Sequence, residues 1–333
     1  MQDVLRIYVR FLTYICYEGV FFLREKIKTF LALCVLILAG PYIITLLFQG
    51  NETSTETGKT ESLMEKGVLP QEKSDKNNLD EEDYLAGIVA EEISLDSHPE
   101  ALKAQAVIAR TLLAGALERG GELPQSMSRE EMLSLWGQDG FEQNYRALEA
   151  ALTATEGEIL VWEDKPIEAA FHAVSAGKTR DAKDALGTEL PYLNSMDSSM
   201  DIPSHDYLKV TFMEKKDLAD KLNHAYPDAE LTVEGVADEI VVAKRDAGEY
   251  VQEVAVGKHT VTGEEFRSCL GLNSACFSIK EVERQVRIVT KGMGHGLGLS
   301  QYGANEMAKN GSSYIEILQY YYKDVELKKN DIQ

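Results

Sequence analysis

The chain has 333 residues, a length that fits one large domain or two ordinary ones. Its formal net charge is −21, which argues against a nucleic-acid partner because both surfaces would be negative. The sequence has no C-x-x-C zinc pattern and no H-E-x-x-H motif, so it predicts no metal and no other cofactor.

The first 29 residues are predicted to form a cytoplasmic N-terminal segment. Within residues 1–23, the charged residues Arg10 and Glu18 interrupt apolar and aromatic side chains. This pattern is compatible with an interfacial helix on the cytoplasmic face of a membrane, and also with a helix that binds a partner. The sequence does not decide between the two.

Residues 30–48 are predicted to form a single transmembrane helix. The run has no charged residue and would be about 28 Å long as a helix, which matches the hydrocarbon core of a bilayer. Arg24, Lys26 and Lys28 precede it, so the N-terminus should stay in the cytoplasm and the C-terminal domain should be extracytoplasmic. A cleaved signal peptide is the alternative, but its apolar region would usually be shorter and nearer the terminus. A buried core helix fits less well, because a low-complexity segment follows.

Residues 49–78 are predicted to be a flexible linker. They are rich in Glu, Thr, Ser, Lys and Asn and have too little apolar content to fold alone. We therefore expect a tether that holds a domain at residues 79–325 away from the membrane, followed by a C-terminal tail at residues 326–333.

The pattern within residues 79–325 predicts an α+β fold, with helices around an antiparallel or mixed sheet. Helical patterns come first and strand patterns later, which favours this class over a repeated βαβ arrangement. Helices are predicted at 81–93, 98–118, 128–136, 142–153, 214–224, 262–270, 300–309 and 313–321. Strands are predicted at 158–163, 167–174, 207–213, 239–245 and 286–290, with a hairpin at 250–261.

Two adjacent glutamates, Glu91 and Glu92, lie near the end of the first predicted helix. At about 100° per residue they point in different directions, and only Glu92 falls on the apolar stripe of Ile88 and Val89. An apolar environment raises the pKa of a carboxyl and keeps it protonated, as a general acid requires near neutral pH. Spacing alone, however, favours a solvated glutamate at the edge of the stripe or one paired with a basic residue.

The second predicted helix has Gln105 within its apolar face, where a buried amide needs hydrogen-bond partners. Lys103 and Arg110 are seven residues apart and share another face. By spacing alone this is an ordinary amphipathic helix with a solvated basic side.

A lone histidine, His295, lies among four closely spaced glycines, and Ser300, Gln301 and Tyr302 follow directly. Glycines at this density allow positive φ and close approach of the backbone to a ligand. Polar groups behind such a loop indicate a binding or catalytic surface. The alternatives are a Gly-rich turn with a structural histidine, and a Ser–His hydrolase, for which no acidic third residue is evident.

Cys269 and Cys276 could form a disulfide only if the helix between them breaks. In one continuous helix they would be about 10 Å apart, which is too far. A break at Gly271 or Asn273 would let them pair, and an extracytoplasmic location would permit oxidation. The sequence leaves this question open.

Four segments, in order along residues 79–325, resemble the SpoIID/LytB family, the group of stage II sporulation protein D and the amidase enhancers. The last of them contains the Gly-rich loop, and four ordered matches are more specific than one such loop. The segments are Asp83–Leu113, Thr155–Thr179, Pro191–Ser198 and Gly294–Met307.

The resemblance implies a peptidoglycan lytic transglycosylase whose single catalytic residue aligns with Glu92. This carboxyl would protonate the glycosidic oxygen between N-acetylmuramic acid and N-acetylglucosamine. It would then act as base for the muramyl 6-hydroxyl and give a 1,6-anhydro product, whereas a hydrolase would normally need a second carboxylate. The substrate-binding residues that the resemblance implies are Lys103, Gln105, Arg110, His172, Ser175, Lys178, His295, Gly296, Ser300, Gln301 and Tyr302.

The resemblance also implies a setting, which is remodelling of septal wall during engulfment in sporulating cells. The implied partners are glycan strands stripped of stem peptides, a peptidoglycan amidase/endopeptidase and a membrane scaffold. Some members carry extra Cys and His residues that resemble a zinc site, but this chain has none between Pro99 and Phe171. The alternative function is a non-catalytic amidase enhancer or peptidoglycan-binding module. A purely structural wall tether and a paralogue with a role outside sporulation are further alternatives.

Overall fold

The structure, a computed structural model, describes residues 81–329. The predicted cytoplasmic segment, transmembrane helix and linker lie outside these residues. No helix within residues 81–329 is long and apolar enough to cross a membrane. The α+β prediction is confirmed, since helices surround small, mostly antiparallel sheets. We call residues 81–201 and 293–329 the helical lobe and residues 208–291 the sheet lobe.

The three longest helices come first along the chain, and strands interspersed with shorter helices follow. The helices are α1 (Glu81–Glu92), α2 (Pro99–Arg119), α3 (Arg129–Ala154), α4 (Ala182–Leu186), α5 (Lys215–Ala225), α6 (Gly263–Leu270), α7 (Gln301–Lys309) and α8 (Tyr314–Tyr321), with short 3-10 turns at Ser199–Asp201 and Pro227–Ala229. The strands are β1 (Glu158–Trp162), β2 (Lys165–Pro166), β3 (Phe171–His172), β4 (Leu208–Glu214), β5 (Ile240–Arg245), β6 (Val251–Val256), β7 (His259–Thr262), β8 (Phe277–Val282), β9 (Gln285–Lys291), β10 (Leu299–Ser300) and β11 (Glu326–Lys329).

Most predicted elements are present, but the short elements α4, β2 and β10 were not predicted, and others differ in extent. The two predicted helices at 128–136 and 142–153 correspond to the two parts of α3, which a kink at Gly137 separates, because its φ of 68° is not helical. The predicted strand at 167–174 is reduced to β3, and β8 was not predicted. Residues 326–329, predicted as tail, form β11, which pairs antiparallel with β1. Such a strand is short and polar, so its place depends on its partner rather than on its own pattern.

The helical lobe is built around α2. Its alanine-rich sequence presents small side chains on nearly every face, so other elements approach it closely on all sides. One side packs with α1 and α3, and another packs with β1, α7 and α8. His98 is the N-cap of this helix, and its Nδ1 accepts a hydrogen bond from the Glu100 amide. The helix ends at Gly120, which has the left-handed conformation.

The sheet lobe has two three-stranded antiparallel sheets, ordered β4–β9–β8 and β5–β6–β7. Alternate residues of their strands point into a common apolar core, which α5 and α6 complete. Phe266 of α6 and Phe277 of β8 stack there with ring centroids 5.0 Å apart. The lobe therefore has a hydrophobic core of its own, separate from that of the helical lobe.

Candidate active site

Glu92 is the last residue of α1 and lies at the protein surface. The apolar residues Ile88, Val89 and Ile93 are buried, but Glu92 itself is exposed, so the prediction that it lies on the buried stripe is wrong. The helix ends here, so no further turn covers the side chain. The predicted direction of its pKa is confirmed. Partial desolvation by neighbouring protein atoms raises the pKa of Glu92, and the negative charge of Glu91 raises it further.

Gln301 connects the Gly-rich segment to the end of α1. Its Nε2 donates one hydrogen bond to the backbone carbonyl of Glu92 over 2.8 Å and another to Oε1 of Gln105 over 3.3 Å. The last carbonyls of a helix lack partners within the helix, so Gln301 acts as a C-terminal cap from a distant part of the chain. The structure thus brings together three of the residues predicted for the site, Glu92, Gln105 and Gln301.

A second residue of α7, Asn305, fixes the other end of the same turn. Its Oδ1 accepts a hydrogen bond of 2.7 Å from the backbone amide of His98, directly before α2. Because Gln301 and Asn305 are four residues apart, they lie on one face of α7. Helix α7 therefore holds both ends of the turn between α1 and α2. Asn305 could not be predicted from the sequence, because nothing in its spacing indicates a partner.

The Gly-rich loop directly precedes α7, and close packing of its backbone against neighbouring residues positions the helix. Gly298 has a φ of 67°, and a Cβ at this position would lie 1.8 Å from the Ala170 carbonyl oxygen. Gly296 has a φ of 82°, and a Cβ there would lie 2.6 Å from the Tyr250 hydroxyl. Only glycine fits both the conformation and the space. Gly296 therefore serves packing, and its predicted role in substrate binding has no support from these contacts.

The two histidines of the predicted site, His172 at the end of β3 and His295 in the Gly-rich loop, pack against each other. The rings of His172 and His295 are 5.9 Å apart, and Nδ1 of His172 lies 3.0 Å from the Leu297 carbonyl oxygen. Burial and the neighbouring His295 lower the pKa of His172 to about 3. Burial likewise lowers the pKa of His295, whose Nδ1 accepts a hydrogen bond from the Leu297 amide. Both rings are therefore neutral near pH 7, and His172 is too deeply buried to contact a glycan strand.

A buried carboxyl that the sequence analysis missed, Asp201, organises the neighbouring segments. Its Oδ2 accepts hydrogen bonds from the Ser175 amide over 2.7 Å and from the Ser198 hydroxyl over 3.1 Å. Ser198 also contacts the Tyr321 hydroxyl at 3.0 Å. Burial raises the pKa of Asp201, and the hydrogen bonds from the serines oppose that rise. This carboxyl thus connects the segment after β3 to α8 by way of Ser198.

Arg180, also missed, joins the two lobes through a buried ion pair. Its Nε lies 2.7 Å from Oδ2 of Asp246, and the two side chains are only 3% and 1% exposed. Nη1 of Arg180 lies 2.9 Å from Oε1 of Glu264, and the guanidinium is 5.0 Å from the Tyr250 ring centroid. The Arg180 amide donates to the Gly296 carbonyl over 2.7 Å. Arg180 therefore fixes the Gly-rich loop against the sheet lobe.

Comparison with known proteins shows the family to which this chain belongs. The family profile described as "SpoIID: Stage II sporulation protein" matches residues 71–162. A stage II sporulation protein D from Bacillus amyloliquefaciens is 33% identical, over 90% of this chain and 94% of that protein. The chain belongs to the SpoIID family. The stage II sporulation protein D of Bacillus subtilis strain 168 is 30% identical over 93% of this chain and 97% of its own length. An amidase enhancer from the same strain is 25% identical over 72% of this chain and 39% of that protein.

Two basic residues that the SpoIID resemblance implied for substrate binding form contacts within the protein. Nζ of Lys103 lies 2.7 Å from Oε1 of Glu100, whose other oxygen accepts a hydrogen bond from the Tyr314 amide. Arg110 is buried, and its guanidinium donates to backbone carbonyls near the end of α3, among them that of Thr155 at 2.6 Å. The spacing on α2 predicted that Lys103 and Arg110 share one face of the helix, but it did not predict which elements pack on that face.

The predicted serines are also buried. Ser175 Oγ accepts a hydrogen bond from the Gly177 amide, and Ser300 Oγ accepts one from the Gly303 amide as the N-cap of α7. A Ser–His hydrolase built on Ser300 is therefore excluded by burial. Lys178 is exposed, whereas Tyr302 is half-buried and its amide donates to the Ala173 carbonyl.

The possible disulfide between Cys269 and Cys276 is not present, since both thiols are free. The left-handed residue Gly271 ends α6, so the helix does break between the two cysteines, as the disulfide would have required. Cys269 packs against the core of the sheet lobe, whereas Cys276 packs with Tyr250 and Ala275. Burial raises the pKa of Cys276 to about 11, so its thiol is unreactive near neutral pH.

A cavity of about 590 Å³ lies elsewhere, between α4 and the sheet β5–β6–β7. Charged and polar side chains line it, including Lys183, Asp184, Lys244 and Glu253. None of the residues predicted for the site contributes to it. The surface around Glu92 and Gln301, where the carboxyl with the raised pKa lies, is the better candidate for the active site.

Proposed function

We propose that the protein is a membrane-anchored lytic transglycosylase that cleaves glycan strands of peptidoglycan. The observation that carries this proposal is Glu92 itself, an accessible carboxyl with a raised pKa whose backbone carbonyl is held by Gln301. A raised pKa keeps a carboxyl protonated at a pH where an ordinary glutamate is ionised. Membership of a sporulation protein family supports septal wall as the setting.

In this mechanism one carboxyl performs two proton transfers. Protonated Glu92 donates to the oxygen that links C1 of N-acetylmuramic acid to N-acetylglucosamine, and the C1–O bond breaks. The resulting carboxylate then takes the proton from the muramyl 6-hydroxyl as O6 bonds to C1. The products are a 1,6-anhydro end and a free hydroxyl, no water is consumed, and Glu92 returns to its acid form.

The surrounding residues act on Glu92 through the backbone. Gln301 and Asn305 hold the turn between α1 and α2, so the direction in which Glu92 leaves the helix is fixed. Fixed geometry matters because a general acid must lie within hydrogen-bond reach of the oxygen that it protonates. Gln301 and Asn305 are thus positioning residues in this proposal, and Lys178 and Tyr302 are candidates for direct contact with the strand.

The proposed location follows from the sequence. The uncharged run at residues 30–48 would anchor the chain, with its N-terminus in the cytoplasm and the domain of residues 79–325 outside the membrane. The proposed partners are the membrane, peptidoglycan strands freed of stem peptides, a wall amidase/endopeptidase and a membrane scaffold. The last two rest on the family resemblance.

The experiment is to incubate the full chain with amidase-treated peptidoglycan and to quantify the glycan fragments released. We expect release by the wild type, release by Glu91→Gln, and none by Glu92→Gln. Glu91 is the matched control because it is also an exposed glutamate, one residue away. Equal activity of wild type and Glu92→Gln would remove Glu92 from the mechanism.

A second function, stimulation of a partner amidase without cleavage, is favoured by a specific observation. The amidase enhancer matches 72% of this chain, and several residues of the shared motifs, such as Arg110 and Ser300, are buried and structural rather than catalytic. The same experiment separates the two functions. An enhancer would release no fragments alone and would accelerate an added amidase equally well with Glu92→Gln.

A further inference from the structure

The sheet formed by β4, β9 and β8 has an outer face that no other described element covers. Alternate residues of β9 are buried in the core of the sheet lobe, and the remaining residues point outwards. On β4 the outward residues are Leu208, Val210 and Phe212, which are 54%, 47% and 53% exposed. The solvated face of an antiparallel sheet is normally polar. A row of three exposed apolar side chains therefore indicates an interaction surface.

The same face carries a row of cations. Phe212 lies directly opposite Arg287 on β9, and Arg287 lies opposite Lys280 on β8. Leu208 lies opposite Lys291. Like charges directly opposite each other in a sheet are destabilising.

Within residues 81–329, none of these three cations forms an ion pair with a carboxylate. The acidic residue at the margin, Glu214, instead accepts a hydrogen bond from Gln285. Cations without an ion-pair partner on one face of a chain whose net charge is −21 indicate that this face binds an anionic ligand.

We propose that this outer face docks on an anionic lipid bilayer. Leu208, Val210 and Phe212 would enter the headgroup region, while Arg287, Lys280 and Lys291 contact lipid phosphates. A bilayer surface supplies both things that the face lacks, apolar surroundings and negative charge, in a plane that matches a sheet. An acidic protein partner would match the charges as well, but nothing in the structure indicates one.

The length of chain outside the structure favours a membrane as the ligand. If residues 30–48 are the anchor, as proposed above, the linker of residues 49–78 would keep the domain within about 30 Å of the bilayer on average. At that distance the membrane is always available to a weakly binding face. The remaining acidic surface would be repelled by anionic lipid, so this face would turn towards it. The inference rests on the proposed anchoring, and the test separates the two.

The test uses the full chain with vesicles whose lipids carry brominated acyl chains, which quench tryptophan fluorescence on contact. The reporter is Phe212→Trp, and the matched control is Leu186→Trp, at a residue that is 58% exposed on α4. The wild-type chain is measured in parallel, so that the fluorescence of its own Trp136 and Trp162 can be subtracted. With phosphatidylglycerol vesicles we expect strong quenching of the Phe212→Trp reporter and little quenching of the control. Phosphatidylcholine vesicles should quench the reporter several-fold less.

Charge reversal and flotation complete the design. The double variant Lys280→Glu/Arg287→Glu, on the Phe212→Trp background, should lose most of the quenching by phosphatidylglycerol. Quenching no greater than that of the control, or equal quenching by both lipids, would overturn the proposed docking. Failure of the chain to float with phosphatidylcholine vesicles would contradict the proposed anchor at residues 30–48, but not the docking of the sheet face on anionic lipid. Unfolding curves of all variants should coincide with the wild type, because every substituted side chain is at least partly exposed.

Discussion

The amide of Gln301 donates a hydrogen bond to the backbone carbonyl of Glu92 across 209 residues of sequence, at a distance of 2.8 Å. The same amide reaches Gln105, so one side chain of α7 ties the end of α1 to the middle of α2. This contact places the Gly-rich segment, otherwise remote in the chain, beside the carboxyl with the raised pKa. The candidate site is therefore a property of the tertiary fold and not of any single motif.

Replacing Gln301 with Ala should reduce both glycan cleavage and the free energy of unfolding. The change removes two hydrogen bonds, each with a net contribution of about 1 kcal/mol to the free energy of unfolding. It also frees the turn that carries Glu92, so we expect activity to fall by about tenfold or more, which corresponds to about 1.4 kcal/mol in the barrier. The control is Gln285→Ala, which removes one hydrogen bond on the sheet lobe. Denaturant unfolding and fragment release, measured on both variants, check the prediction, and equal activity losses would contradict it.

Replacing Glu91 with Gln should move the pH dependence of cleavage to lower pH. The charge of Glu91 contributes to the raised pKa of Glu92, so its removal lowers that pKa. Because the mechanism needs protonated Glu92, activity is lost as the pH rises through its pKa. The high-pH limb of the activity profile should therefore shift down in Glu91→Gln, whereas Glu82→Gln, at the exposed start of the same helix, should leave it in place. An unchanged limb in both variants would show that Glu91 does not act on the acid.

Replacing Arg180 with Met should strongly destabilise the fold. Asp246 would be left buried without its partner, and the loss of one member of a buried ion pair typically lowers the free energy of unfolding by about 3–5 kcal/mol. The double variant Arg180→Met/Asp246→Leu should recover part of this loss, because it removes the uncompensated charge. Denaturant unfolding of the single and double variants measures both effects. A loss under about 1 kcal/mol in the single variant would mean that water reaches Asp246 freely.

The buried histidines should make stability depend on pH below about 6.5, the ordinary pKa of histidine. The folded state keeps His172 neutral, with its pKa lowered to about 3, whereas the unfolded chain takes up a proton. The free energy of unfolding should thus fall as the pH drops from 6.5, by about 1 kcal/mol for this residue between pH 7 and 5.5.

The variant His172→Asn provides the control for that pH dependence. Its amide can still donate to the Leu297 carbonyl, and it does not titrate. We expect a shallower loss of stability over the same pH interval, measured by urea unfolding at both values. The same slope in variant and wild type would assign the pH dependence to other groups.

Helix periodicity predicted some side-chain directions and few surroundings. The spacing on α1 placed Glu92 on the buried stripe, although the residue is exposed at the end of the helix. The position of Gln105 on an apolar face correctly required a partner, and Gln301 donates to its Oε1. Lys103 and Arg110 share a face as predicted, but α8 and the end of α3 occupy it. Spacing within one helix has no information about the elements that pack on it.

Contacts between distant segments account for what the sequence analysis missed. Asp201 and Arg180 lie in irregular segments without periodicity, and their roles depend on partners as remote as Tyr321 and Asp246. Strand β11 was taken as tail because its four residues gain their conformation from β1. The glycines were recognisable as a group in the sequence. The reason that no larger residue fits there is the closeness of neighbours such as Tyr250, which only the structure shows.

The most direct test of the central claim is the mass of glycan fragments formed in water enriched in heavy oxygen. A transglycosylase adds no water, so the wild-type chain should give fragments with unlabelled 1,6-anhydro ends, and Glu92→Gln should give none. New fragments that end in a reducing sugar, and are therefore heavier than the anhydro form by one water, would identify a hydrolase and contradict the account. Anhydro products in equal amounts from Glu92→Gln would contradict the assignment of the acid.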